Sequence, residues 1–228
     1  MAKKRSRRYQ KAAAKVDRSK RYPLAEGMAL IKSLGGPKFD ETVDIAIRIG
    51  IDAKKTDQLV RGSVSLPKGT GKSIKIAVFA DGEKAKEALA AGADFVGAAD
   101  LADKIEKGFT DFDMTIASPD MMRFVGKLGK VLGPQGKMPS PKAGTVTPNV
   151  AAAVREFKAG KIEFRTDAGA NVHAAIGKKS FNADDLAVNL TAFVDHLRAL
   201  RPAQAKGTFI QKVVVSTSMG PGVMLAVE

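Results

Sequence analysis

Residues 66–80 read LPKGTGKSIKIAVFA, and the fold turns on how this stretch is read. As a nucleotide-binding loop it would need a glycine, four spacers and Gly-Lys-Ser/Thr, followed by a helix whose free N–H groups hold the phosphates. Gly71-Lys72-Ser73 supplies the end of that pattern, but Leu66 stands where the first glycine should be. The next residues, IKIAVF at 74–79, have the apolar run of a strand and not of a helix. The stretch therefore reads as a connection between two regions of different style, with glycines that permit rotation.

Upstream, a helix is expected from Pro23 to about Leu34, with Leu24, Met28, Ile31 and Leu34 on one face and Gly35-Gly36-Pro37 as its stop. FDETVDIAIRIGID (39–52) alternates Val43, Ile45, Ile47, Ile49 and Ile51 against Thr42, Asp44, Ala46, Arg48 and Gly50, which predicts a strand with one open face. VRGSVSL (60–66) is a further strand. Downstream of 73 the order becomes strand, helix, strand, helix, strand, helix, the last helix spanning DMMRFVGKLGKVLG (120–133). Such alternation predicts a parallel sheet with helices on both faces.

After Gly160 the first style returns. KIEFRTD and NVHAAIG form two strands around Ala168-Gly169-Ala170, and NADDLAVNLTAFVDHLRAL (182–200) is a helix. Asn182 is expected to cap that helix, with Leu186, Leu190, Phe193, Leu197 and Leu200 inward. GTFIQKVVVSTSM and VMLAV then make a hairpin across Gly220-Pro221-Gly222. The expected fold class is an α+β discontinuous domain, 1–67 plus 160–228, with an inserted α/β Rossmann-like three-layer domain at 68–159. Hinge positions fall at the crossings: Pro67, Gly69 and Gly71 outward, Ala159 and Gly160 on the return.

The chain has 228 residues, 38 Lys+Arg against 24 Asp+Glu, and a formal net charge of +14. That balance points to a polyanionic partner such as nucleic acid or an acidic membrane surface. Residues 1–67 hold 16 basic and 7 acidic side chains, so most of the excess lies at the front. The first 22 residues alone carry ten Lys/Arg and only Asp17 in opposition, and read either as an arm that folds along phosphates or as a solubility tail. A second basic segment, RFVGKLGKVLGPQGKMPSPKAGTV (123–146), contains Lys130, Lys137 and Lys142 among five glycines and three prolines. It reads equally as a shaped cationic loop or an ordinary surface loop.

Several classes are excluded. No cysteine is present, so thiolate metal sites and cysteine nucleophiles drop out. No apolar run approaches a spanning length, and the chain is expected to be soluble and cytoplasmic, without a membrane partner. His173 and His196 lack metal-site spacing, and no metal or cofactor is expected. No G-x-G-x-x-G follows the first strand of the inserted region, where the turn reads ADGEKAKE. No nucleophile, base and oxyanion set can be assembled, so the chain reads as a non-enzyme. A nucleotide-dependent enzyme built on the α/β region and a nonspecific DNA-compacting protein remain as alternatives.

One surface is suggestive. KFDET opens one strand and STSMG closes another, and their hydroxyls, at Thr42, Ser216, Thr217 and Ser218, can reach sugar and phosphate oxygens. Phe39 and Met219 add apolar contact, and Gly220 permits close approach; the same residues would also serve simply to end two core strands.

KFDETVD, GIDAKKTDQLVRGSVSLPKGTGK, GADFVGAADL, FDMTIASPDMM, VLGPQGKMPSPKAGTVTPNV and STSMGPG, in this order, resemble the bacterial large-subunit ribosomal protein L-one family, the protein of the mobile stalk near the tRNA exit site. The resemblance implies a chain that binds large-subunit (23S) rRNA through its discontinuous domain, assists release of deacylated exit-site tRNA, and represses its own operon mRNA. It implies a ribosome-bound protein, monomeric when free. By position it implies rRNA contacts at Lys38, Phe39, Thr42, Ser218, Met219 and Gly220, with Arg165 and Lys178 as neighbours. The chain departs from the family pattern at Ser218, where Thr is usual, and at Gln135, Ser140 and Leu59.

Overall fold

The computed structural model describes residues 5–53 and 55–226. Its first helix, α1 (Arg7–Ala13), starts at Ser6, whose Oγ accepts the Tyr9 N–H at 3.3 Å. Ala12 and, just beyond the helix, Val16 are buried in the main core. Part of the basic arm read at 1–22 is therefore helical, with two apolar residues packed on the main core; Met1, Ala2, Lys3 and Lys4 lie outside the described residues.

Helix α2 (Leu24–Ser33) begins on Pro23, which suits a position lacking a helical N–H partner, and turns Met28 and Ile31 into the core, with Leu34 following. Strand β1 (Thr42–Ile49) buries Val43, Ile45, Ile47 and Ile49 and leaves the alternate residues partly open, as its period of two requires. Strand β2 (Arg61–Ser65) comes next.

The middle of the chain builds β3 (Ile76–Phe79), α3 (Gly82–Ala90), β4 (Phe95–Gly97), α4 (Ala99–Glu106) and β5 (Met114–Ala117). The strands form a parallel sheet in the order β4-β3-β5. All four residues of β3 are buried, as both faces of a central parallel strand must be. Ala77 and Phe79 join a core with Leu101, Ile105, Val125, Leu128 and Leu132, while Ile76 and Val78 join another with Ala88, Val154 and Phe157.

The single helix expected over 120–133 is corrected. The chain instead makes a 3-10 turn at Pro119–Met121, a one-turn helix α5 (Met122–Val125), a second 3-10 turn at Gly126–Leu128, and a one-turn helix α6 (Gly129–Leu132). Gly126 and Gly129 weaken helix propagation, while burial of Val125, Leu128 and Leu132 still holds the segment on the sheet. Helix α7 (Val150–Ala159) is an addition to the expected elements. Its signals are local: the Asn149 side chain accepts the Ala152 N–H at 3.1 Å, and Val150, Ala153, Val154 and Phe157 make one buried face. Gly160 ends it at φ +112°.

The chain then forms β6 (Lys161–Arg165), β7 (Asn171–Lys178), α8 (Ala183–Ala199), β8 (Ile210–Thr217) and β9 (Val223–Leu225). An antiparallel sheet has the order β7-β1-β8-β9, and α2 and α8 contribute to the core on its apolar side. Around 168–170 the expected pair of strands diverges. β6 pairs with β2 in a separate two-stranded sheet, and just past its end the Thr166–Val172 bridge and the Asp167 N–H donated to the Asn171 carbonyl at 2.8 Å lead on to β7. In α8, Asn182 occupies the cap position without a side-chain bond, and Leu200 is exposed because the helix has already ended.

By contacts the chain divides into two units, Met1–Gly71 with Ile162–Glu228, and Lys72–Lys161. Residues 68–71, assigned to the inserted region from sequence, group with the first unit, and residues 160–161 with the second. No helix among the described residues is long and apolar enough to cross a membrane.

Candidate nucleic-acid interface

β1 and β8 are antiparallel, with Val43 opposite Thr217, so the segment entering β1 and the segment leaving β8 meet at one end of the sheet. The Ser218 N–H donates to the Thr42 carbonyl at 3.0 Å, and the Thr42 N–H donates to Ser218 Oγ at 3.2 Å. On the other flank Lys178 is the cross-strand partner of Thr42, and its Nζ donates to Thr42 Oγ1 at 3.0 Å. Three segments remote in sequence are thereby joined at Thr42.

Glu41 holds them in place. It is only 1% exposed; one carboxylate oxygen accepts the Met219 N–H at 2.9 Å and the other lies 3.4 Å from the Lys179 ammonium. Its carbonyl accepts the Lys179 N–H at 2.8 Å, and Asp40 receives both the N–H and the hydroxyl of Ser180. A carboxylate this deep requires such partners, since an uncompensated buried charge is far too costly to keep. Sequence reasoning misses Glu41, Asp40 and Lys179, because Glu41 looks there like one more polar residue before a strand.

Outside this buried linkage, Phe39 is 57% and Met219 52% exposed. Phe39 lies two residues before Glu41, and Met219 is bonded to Glu41, so both sit at the same end of the sheet. Lys38 and Ser218 are exposed beside them, Thr42 and Lys178 half-buried. Thr217, expected to reach outward, is buried, and its hydroxyl fills the space where a side chain on Gly220 would have to go. Gly220 is thus explained by an internal contact.

Arg165 is not part of this cluster. It closes β6 next to the Thr166–Val172 bridge, and Val172 lies six residues along β7 from Lys178, roughly 20 Å at strand rise. In the basic loop, Lys130 and Lys142 are exposed, but Lys137 is a structural cation: its Nζ donates to the Thr110 carbonyl at 2.9 Å and lies 5.0 Å from the centre of the Phe112 ring, while its own carbonyl accepts from Thr115 Oγ1. Among the described residues no group of His, Asp or Glu could hold a metal ion. His196 meets the Phe164 ring edge-on, and His173 is exposed with Asp167 3.5 Å away.

The outward crossing is bonded down as far as Gly69. Asn189, fully buried in α8, accepts the Lys68 N–H at 3.0 Å and donates to the carbonyls of Gly69 and Ile176 at 2.9 and 2.8 Å. Gly69 and Gly71 adopt φ of +67° and +68°, and a side chain on Gly71 would meet the Phe181 ring. The phosphate-cradle reading of GTGKS has no support in this geometry, since Thr70 is buried and an extended segment leads on into β3.

An exposed pair of apolar side chains, hydroxyls locked in register and flanking lysines, with the Asp40 and Glu41 carboxylates engaged in holding the segments together, suits binding. The ribosomal protein L1p/L10e family matches the sequence over residues 30–221, which include every residue of this sheet end. The chain belongs to that family. Relatives named large ribosomal subunit protein uL1, from Burkholderia mallei strain SAVP1, Burkholderia pseudomallei strain 668 and Burkholderia thailandensis strain E264, are each 55% identical over 218 residues, covering 96% of this chain and 94% of the relative. The family is one of ribosomal structural components, not of enzymes.

Proposed function

We propose that this chain is a structural constituent of the large ribosomal subunit, cytoplasmic and ribosome-bound, that binds large-subunit rRNA through the unit formed by its two chain ends. The reading extends to a mobile stalk that assists release of deacylated tRNA from the exit site, and to repression of the chain's own operon mRNA by the same face. A single observation carries it: Phe39 and Met219, 180 residues apart, are both left exposed at one rigidly bonded sheet end flanked by Lys38 and Lys178. The proposed architecture is a discontinuous domain with an inserted α/β domain. Because Asn189 holds Lys68 and Gly69 and Ala159 is the last residue of α7, we assign rotation between the two to Gly71 and Gly160 and not to Pro67, Gly69 or Ala159.

The test is a titration against the chain's own large-subunit rRNA with tRNA and duplex DNA as competitors. If about six phosphates are neutralised, affinity falls on the order of a thousandfold between 50 and 200 mM salt. Phe39→Ala with Met219→Ala is expected to weaken rRNA binding by about 1–3 kcal/mol, on the scale of a lost base contact, and to leave duplex DNA binding unchanged. Equal affinity for duplex DNA and rRNA in the parent protein, or no effect of the double substitution, would overturn the proposal.

A further inference from the structure

We propose that the same unit carries a second RNA contact, a cationic cleft at the opposite end of β8 that takes a sugar-phosphate strand of the bound rRNA; the inference rests on the function proposed above. The cleft, about 1000 Å³, opens where β8 begins beside β9, and Arg21, Arg198, Arg201 and Lys212 line it. No acid stands among its described lining residues. Phe209, Val213 and Leu225 are buried and make an apolar floor, so the cations stand above a surface that cannot compensate them.

A second groove shares Thr208 and Gln211 with the first and adds Arg48 and Lys206, with Asp52 its one acid among the described lining residues. Arg48 and Lys212 are direct cross-strand partners, both exposed. Like charges placed opposite one another destabilise a sheet, so this pair is a liability to folding that an anion laid across it would remove. Arg201 has a local task, donating to the carbonyls of Ala205 and Gly207 at 2.9 and 3.0 Å, which shapes the loop beneath. Among the described residues Arg198 has an exposed ion pair with Asp195 at 3.7 Å, of the kind worth little.

Phosphate is favoured over an acidic peptide because Thr208 and Gln211 place neutral donors beside the cations, suited to sugar hydroxyls, and because β8 itself leads from this cleft to Ser218. Six residues of strand separate Lys212 from Ser218, roughly 20 Å, so a folded RNA can engage both while contacting one strand of the protein. Phosphate contacts position a partner without reading it, so this cleft adds affinity and salt dependence but not shape selectivity.

The experiment compares Arg198→Gln/Lys212→Gln with a control, Lys104→Gln/Lys107→Gln, which removes the same charge from the other unit. Binding to large-subunit rRNA is measured across a salt series. The cleft pair is expected to flatten the slope of log K against log salt by about 1.4–1.8, at roughly 0.7–0.9 per phosphate, with preference over duplex DNA retained and the control unchanged. Equal flattening in both variants, or none in either, overturns the inference. Should the first pair melt early, Arg21→Gln/Arg48→Gln removes two other cations of the same end and carries the same expectation. A parent protein with no preference for rRNA would instead refute the function proposed above, which keeps the two failures apart.

Discussion

Glu41 and Lys179 should be energetically coupled far more strongly than a surface pair. At 3.4 Å and an effective dielectric near 20, their attraction is about 5 kcal/mol, most of it offset by desolvation of a carboxylate 1% exposed and an ammonium 19% exposed. Truncating one partner exposes that imbalance. Lys179→Met leaves a buried carboxylate with the Met219 N–H as its remaining side-chain partner, and is expected to destabilise by about 3–5 kcal/mol. Glu41→Gln keeps an acceptor for Met219 and leaves Lys179 bonded to the Leu34 carbonyl, so its expected loss is smaller, about 2 kcal/mol. The double variant removes both charges together and should lose about 2 kcal/mol less than the sum. The assay is urea unfolding monitored by tyrosine fluorescence: the chain has two tyrosines and no tryptophan, and Tyr9 and Tyr22 both belong to the unit that holds Glu41. Additivity of the two single losses within about 0.5 kcal/mol would refute the reasoning, because it would mean the pair is solvated and does not hold the sheet end together.

Asn189→Leu conserves volume but strands the Lys68 N–H and the carbonyls of Gly69 and Ile176; with two of these partly solvated, a loss of about 3–4 kcal/mol is expected, near a 10 °C fall in Tm for a unit of about 140 residues. A fall of less than about 3 °C would show that the crossing is not held by this amide. Asp44 lies on the open face of β1, and burial raises its carboxyl above the usual 3.8, against the opposing pull of Lys178 and His173. The folded state therefore binds this proton more tightly than the unfolded state, and stability is lost as pH rises from about 3.8 through the folded pKa. Asp44→Asn is expected to raise Tm at pH 7 and to do little well below pH 3.8; a fall at pH 7 would mean that the attraction to Lys178 wins.

Elements with a strong period are legible in the sequence. Val43, Ile45, Ile47 and Ile49 alternate without a break, and the same pattern in one strand fixes both its direction of burial and the face left open. Legibility fails where two signals compete. In 120–133 a helical spacing of Val125, Leu128 and Leu132 coexists with glycines at 126, 129 and 133, and the backbone entropy of glycine divides the helix into single turns. Conversely α7 carries a cap, a buried face and a glycine stop, but these come directly after a segment rich in proline and glycine, whose loop character masks them. Strand partners are not encoded locally, which is why β6 can be placed as a strand from its own residues yet pairs with β2 instead of β7.

The site divides along the same line. Phe39 and Met219 are assigned a contact role in the sequence only through the family resemblance, because by pattern alone they would serve as well to end two core strands, and other large apolar residues such as Leu89 and Val188 are exposed too. The groups that fix their positions cannot be picked out, since the roles of Glu41, Lys179 and Asn189 exist only once remote segments meet. This separation has a consequence for recognition. Cations on long side chains adapt to many phosphates, whereas Phe39 and Met219 stand beside a backbone clamped at Thr42, Ser218 and Met219, which fixes where the two side chains start. Burying two side chains that are each about half exposed returns on the order of 1–2 kcal/mol apiece, and only for a surface shaped to fit. On the proposed function, shape selectivity is assigned to the apolar pair Phe39 and Met219 and salt dependence to the cations of the opposite end, and substitutions at the two ends are expected to separate these properties.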